Sequence, residues 1–157
     1  MEQPTSSLAE TISGQETSSL SPYAATVLLA CMFGRNLHHL HRVTTNDRDH
    51  DLNGEFWKRH RALDNILLHT SLSLPNHLRL PEGINNSEIV FGNMCIHAST
   101  ICLHQAAIYK AEKHSMPGQI STESKRRCII AADQITHIMK MVSHMDLAKV
   151  NHPNMSF

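Results

Sequence analysis

Apolar residues recur every three or four positions through most of the chain, and four segments hold that rhythm long enough to specify helices. The first follows Ser21-Pro22, an N-cap serine with proline at the first helical position, and carries Leu29, Phe33, Leu37 and Leu40 between about Pro22 and Val43. A second is predicted over about 53-73: Asn53 would cap it, Glu55 would sit in its first turn, and Phe56, Leu63, Ile66 and Leu67 would form its stripe. The third, about 87-114, has two apolar lines, Met94-Ile101-Ile108 and Phe91-Cys95-Ala98-Cys102, as expected of a helix buried at the centre of an array. The fourth, about 121-145, starts at a capping Ser121 and carries Cys128, Ala132, Ile135, Met139, Val142 and Met145 along one side. It is expected to run antiparallel to the third.

The segments between these patterns read as connections. Residues 1-21 are rich in Ser, Thr, Glu and Gln and predict a flexible linker. Thr44 to Asp51 is polar and acidic, which predicts a solvated loop. Pro75 and Pro81 forbid a helix from Leu74 to Gly83, so Leu74, Leu78 and Leu80 are expected to dock on the helices as pegs. Pro117-Gly118 is expected to stop the third helix. No strand pattern and no internal repeat emerge, so the expected fold is all-α: four main helices in an irregular antiparallel array.

Composition narrows the functional classes. Lysine plus arginine equal aspartate plus glutamate at 14 each, so no global field draws the chain to nucleic acid or an anionic surface. No apolar run approaches the roughly eighteen residues of a membrane span, and Met1 to Ser7 lacks the features of a signal peptide. The 4 cysteines, Cys31, Cys95, Cys102 and Cys128, all fall in helical patterns without C-x-x-C spacing, which reads as reduced thiols in an intracellular compartment.

With 13 histidines, metal chemistry is the first candidate. His38 with His41 and Asp133 with His137 have spacings that let two side chains face one ion, yet zinc needs three or four ligands, and H-E-x-x-H is absent. His97 and His104, like His137 and His144, are seven residues apart and therefore about 10 Å apart along a helix. His50-Asp51 resembles the paired ligand of helical metal-dependent phosphohydrolases, an enzyme alternative that would need a further histidine and aspartate from other helices. Cys128 follows Lys125-Arg126-Arg127, a setting that would activate a thiol if exposed, whereas its place on the apolar stripe reads as packing and the three basic residues read as a solvated face. Trp57 beside Lys58 and Arg59 reads as core, because aromatics at 4% are too few for a base-stacking platform. Met139, Met141 and Met145 read as core or as an adaptable interface.

Several blocks taken in order resemble one family. They are Ser21-Pro22-Tyr23-Ala24, Phe33-Gly34-Arg35-Asn36-Leu37 with His39-Leu40-His41-Arg42, Asn53-Gly54-Glu55-Phe56-Trp57-Lys58-Arg59-His60, and Leu74-Pro75 with His77-Leu78-Arg79-Leu80-Pro81. Ile96 through His104, Lys110-Ala111-Glu112-Lys113 and Ser143-His144-Met145-Asp146-Leu147 continue the series. From about Leu8 to Phe157 the chain thereby resembles the fungal-specific transcription factor regulatory domain, or middle homology region of xylanolytic-activator type. The resemblance implies a nuclear regulator of DNA-templated transcription and not an enzyme, in which this helical module restrains or relays activation and meets protein partners or small inducers. In the family a separate binuclear cluster of six cysteines holds two zinc ions and reads DNA. That cysteine pattern is absent here, so neither zinc nor DNA contacts can be placed on any residue of the chain, and no catalytic, cofactor or metal site is assigned.

The implied organisation is a linker over 1-21 followed, over 22-157, by the N-terminal part of the regulatory domain. A front half of that kind is expected to leave Ile101, Ile108, Val150 or Phe157 incompletely covered. A truncated product that has lost regulation, or that competes with full-length relatives for partners, is the remaining alternative, and a dimer is one assembly open to the chain.

Overall fold

A computed structural model describes residues 20-41 and 49-150, the last five as backbone only. Four helices account for most of these residues: α1 over Pro22–His41, α2 over Glu55–Ser73, α3 over Ser87–Lys113 and α4 over Gly118–Val150. No strand occurs among the described residues. Residues 1-19 of the linker expected over 1-21, residues 42-48, and the tail residue Phe157 lie outside them, as does the Val150 side chain.

Helix α3, 27 residues long, is the axis of the array and touches the other three. Thr26 and Leu29 of α1 lie against Glu88 and Gly92, and Asn36 lies against Ser99, so α1 runs parallel to α3. Trp57 packs with Ala107 and Ala111 while Asp64 meets His104, so α2 runs the opposite way. Glu112 meets Ser121 and Ile101 meets Cys128, which makes α4 antiparallel to α3 as the turn between them predicts. Gly92 marks the closest approach of α1 to α3: a Cβ there would stand 3.0 Å from the Leu29 Cδ1 atom.

The ends of the helices differ instructively from expectation. Ser21 caps α1 through its Oγ, which accepts the Ala24 N–H at 3.2 Å, and Asn86 caps α3 by accepting from Glu88 and Ile89. Asn53 does not cap α2. Its own N–H is tied back to Asp51 Oδ1 at 2.9 Å, and Gly54 precedes the helix without a side-chain cap. Ser121 does not start α4, which begins at Gly118; the Ser121 hydroxyl instead donates to Glu112 Oε1 at 3.1 Å. The stop of α3 also lies before the proline. Ser115 takes φ 50°, the Ser115 N–H bonds the Glu112 carbonyl, and the Met116 N–H bonds the Ala111 carbonyl, which together close the helix.

The main core lies between α1, α2 and α3, with Leu29, Met32, Leu67, Ile96 and the fully enclosed Leu103 at its centre. Leu74 and Leu78 are the expected pegs, and Leu80 is half-buried beside them. Asn93 fixes the loop by donating to the Leu78 carbonyl at 2.9 Å. Three predicted stripes are turned by about one position. On α1 the buried line is Ala25, Leu29, Met32, Asn36 and His39, with Phe33, Leu37 and Leu40 only half-buried. On α3 the buried line is Ile89, Gly92, Ile96, Ser99, Leu103 and Ala107, while Phe91 is exposed and Ile101 and Ile108 are half-buried, the incomplete cover expected of them. On α4 Ala131 and Ile138 are buried while Ala132 and Met139 face solvent. On α1 and α3 polar residues occupy core positions, so apolar content alone points to the wrong side, whereas on α4 the buried line is set by what α3 places opposite it.

Candidate functional site

Along α2, Phe56, His60, Leu63 and Leu67 follow helical spacing, so His60 stands where the stripe calls for a hydrocarbon. The same substitution recurs at Asn36 and His39 on α1 and at Ser99 on α3. These residues, with His104 of α3 and Ser124 and Arg127 of α4, form a polar seam through the middle of the fold.

The seam is first a ladder of rings. His39 stacks on Phe56 at 4.9 Å, Phe56 stacks on His60 at 6.1 Å, and His60 meets His104 edge to face at 5.2 Å. Trp57 closes on Phe56 and His60 from the side and donates its indole N–H to the Asp49 carbonyl at 2.8 Å. Asp49 is buried and its carboxylate pairs with Lys110, so this end of the 44-51 segment anchors α2 to α3 and is not the solvated loop that its charge predicts. Burial, then the neighbouring His104, holds the His60 imidazole at a pKa of about 4, well below its ordinary value. His60 is therefore neutral at pH 7.

Beyond His60 the seam turns ionic. His104 Nδ1 lies 3.3 Å from Ser124 Oγ, while its Nε2 lies 3.3 Å from both Asp64 Oδ1 and the Arg127 Nε atom. A neutral ring carries one N–H. It either donates through Nε2 to Asp64 while accepting the Ser124 hydroxyl, or it accepts the Arg127 N–H at Nε2 while donating to Ser124. Arg127 bonds Asp64 directly in either case. Burial alone pushes the Asp64 carboxyl up, but hydrogen bonding from His104 and the Arg127 charge outweigh it and hold the group below its usual range. Arg127 thus reaches inward, whereas Arg126 pairs with Glu123 and Lys125 with Glu112 on the surface. The solvated face expected of these residues holds for Lys125 and Arg126, each in a surface ion pair, and fails for Arg127.

Serine, histidine and aspartate in sequence contact invite comparison with a nucleophilic triad. Access decides against it. Ser124 and His104 are each 4% exposed, and the carboxylate is committed to a guanidinium. The shallow groove above, between Leu67 of α2, Ile96 and His97 of α3 and Ile130 and Ala131 of α4, is not walled by Ser124. Cys128 is no better a nucleophile: burial raises its thiol pKa, and its sulfur points to the Ile101 carbonyl at 3.7 Å.

The enzyme alternative placed metal ligands at His50 and Asp51. His50 is exposed beside His114, ring to ring at 6.4 Å, and Asp51 is spent on the Asn53 N–H. Among the described residues no three His, Cys, Asp or Glu side chains converge to hold an ion. The His38/His41 and Asp133/His137 pairs gain no third ligand, His41 being turned to the Leu37 carbonyl at 2.8 Å. The four free cysteines are likewise spread over α1, α3 and α4. No helix is long and apolar enough to cross a membrane among the described residues.

Comparison with known proteins gives similarity to transcriptional activators. The chain is 23% identical over 94% of its length to a pigment biosynthesis transcriptional activator of Monascus ruber. It is 26% identical over 92% of its length to a citrinin biosynthesis transcriptional activator of the same fungus, and 27% identical over 94% to one of Monascus purpureus. These are fungal transcriptional activators. The chain spans about a quarter of their length, 26%, 28% and 25% in turn. No protein-family model matches it, and no solved structure does.

The sequence signal for the seam was a run of polar side chains at core register: Asn36, His39, His60 and Ser99 each continue an apolar stripe. Ser124 bears the same mark, at core register with Ala131 and Ile138, whereas Arg127 does not, because its carboxylate partner Asp64 comes from a helix far away in sequence.

Proposed function

We propose that the chain is the helical regulatory module of a fungal zinc-cluster type transcription factor, acting in the nucleus through helix packing and contacts with protein partners or an inducer. The observation that carries this reading is the similarity to fungal transcriptional activators over nearly the whole chain. The polar seam supports it, since buried polar groups that pair across helices, Asn36 with Ser99 and His104 with Ser124 and Asp64, fix how those helices sit against one another. Zinc and DNA contacts belong to a separate cluster, for which this chain supplies no ligands.

The test is a reporter in a filamentous fungus. Met1 to Phe157 is fused behind a heterologous DNA-binding domain with a constitutive activation segment, and output is compared with the same fusion lacking the chain. The module is expected to change reporter output at least about fivefold, the lower end of the usual allosteric coupling, and the fusion should accumulate in nuclei. Unchanged output with normal protein levels would refute the regulatory role.

A further inference from the structure

Helix α4 has two sides. One, through Ser124, Ala131 and Ile138, packs on α3. The other carries Ile129, Ala132, Thr136, Met139 and Ser143, at alternating spacings of three and four, all exposed. Ile129 and Met139 are 69% and 51% exposed. The Thr136 hydroxyl is bonded back to the Ala132 carbonyl at 3.0 Å and that of Ser143 to the Met139 carbonyl at 2.9 Å, so neither needs a new polar partner. The register of α3 and α4 places exposed Phe91 level with Met139. Ile129 and Met139 are the large apolar members of the α4 face, set among small side chains that let a second helix approach closely.

Charge identifies what covers it. Of the charged residues on α4 between Gly118 and Met145, Glu123, Lys125, Arg126 and Arg127 all hold ion pairs. Asp133 and Lys140 do not, among the described residues. They are exposed, opposite in sign and seven residues apart beside the stripe, about 10 Å along the axis and too far to meet each other. A second copy of α4 laid antiparallel and centred near Thr136 brings Asp133 of each copy to Lys140 of the other. The same register sets Met139 against Ala132 and Ile129 against Ser143, large side chains against small ones on both sides of a two-fold axis.

We infer that this face of α4 is a homodimer interface, formed by antiparallel α4 pairing and keyed by reciprocal Asp133 and Lys140 ion pairs. The inference stands apart from the regulatory reading. Sedimentation velocity on the full chain between about 5 and 200 μM, a range in which a small, partly polar interface associates, should show a concentration-dependent dimer. Asp133→Lys and Lys140→Asp should each weaken it about tenfold, because two symmetric pairs become like-charged. Combined, they should restore it to within about threefold of the parent, the additivity failure that marks direct contact. Met139→Glu should abolish it with far-UV circular dichroism unchanged. A monomer throughout the range, a dimer indifferent to both single charge changes, or no recovery in the double variant would each overturn the inference.

Discussion

Leu103→Ala is expected to lower unfolding free energy by about 3 to 4 kcal/mol, the upper range for a leucine truncated in a rigid core. Leu103 is 0% exposed and sits where α3 passes between its neighbours, in the cluster with Leu29, Met32, Leu67 and Ile96. Side chains from different helices wall the cavity, so no single element can close over it without disturbing the seam beside it. Against a usual total of about 5 to 15 kcal/mol, that loss is a large fraction. Urea unfolding followed by circular dichroism would read it as a drop in midpoint of about 2 M, at a slope near 2 kcal/mol/M. A loss under about 1 kcal/mol would mean that the helices are not packed around α3 as described.

The second large effect is expected from acid. His60 has a pKa of about 4 in the fold and 6.5 without it. Its folded pKa is lowered, so the unfolded chain binds the proton more readily. Stability is therefore fully present above pH 6.5 and is lost as pH falls toward 4. By linkage the loss is about 2 kcal/mol at pH 5 and about 3 kcal/mol once both states are protonated. His97, whose pKa burial also lowers, adds in the same direction. Asp64, held below the ordinary carboxylate range, sheds its contribution only at lower pH. Replacing His60→Phe keeps a ring in the ladder between Phe56 and His104 and removes the proton, so the urea midpoint should depend far less on pH between 7 and 5. An unchanged pH dependence in that variant would place the titrating group elsewhere.

Helices were legible in the sequence because periodicity is local; Ser21 caps α1 as read and Leu74 and Leu78 dock as the proline-bounded segment requires, while Asn53 and Ser121 do not cap α2 and α4. Facing was less legible. Ala132 and Met139 look like core on α4, yet a side chain is buried by what lies opposite it, and α3 lies opposite Ala131 and Ile138. The acidic 44-51 segment reads as solvated because nothing nearby in sequence announces Lys110, 61 residues from Asp49, as a partner for its carboxylate. Long-range pairs of this kind, Asp64 with Arg127 above all, set the centre of the molecule and leave no periodic trace. What did leave a trace was the intrusion of Asn36, His60 and Ser99 into apolar stripes.

The proposed regulatory role predicts a helical fold that holds together through packing and needs no metal. The most direct test is urea unfolding of the full chain followed by circular dichroism and tryptophan emission, in matched samples with added zinc and with chelator. Trp57, wedged in the polar seam, reports the packing while the helix signal reports the backbone. Coincident cooperative transitions with the same midpoint in zinc and chelator are the expected result. A midpoint raised by zinc, or a fold lost on chelation, would contradict the account and make the chain a metalloprotein.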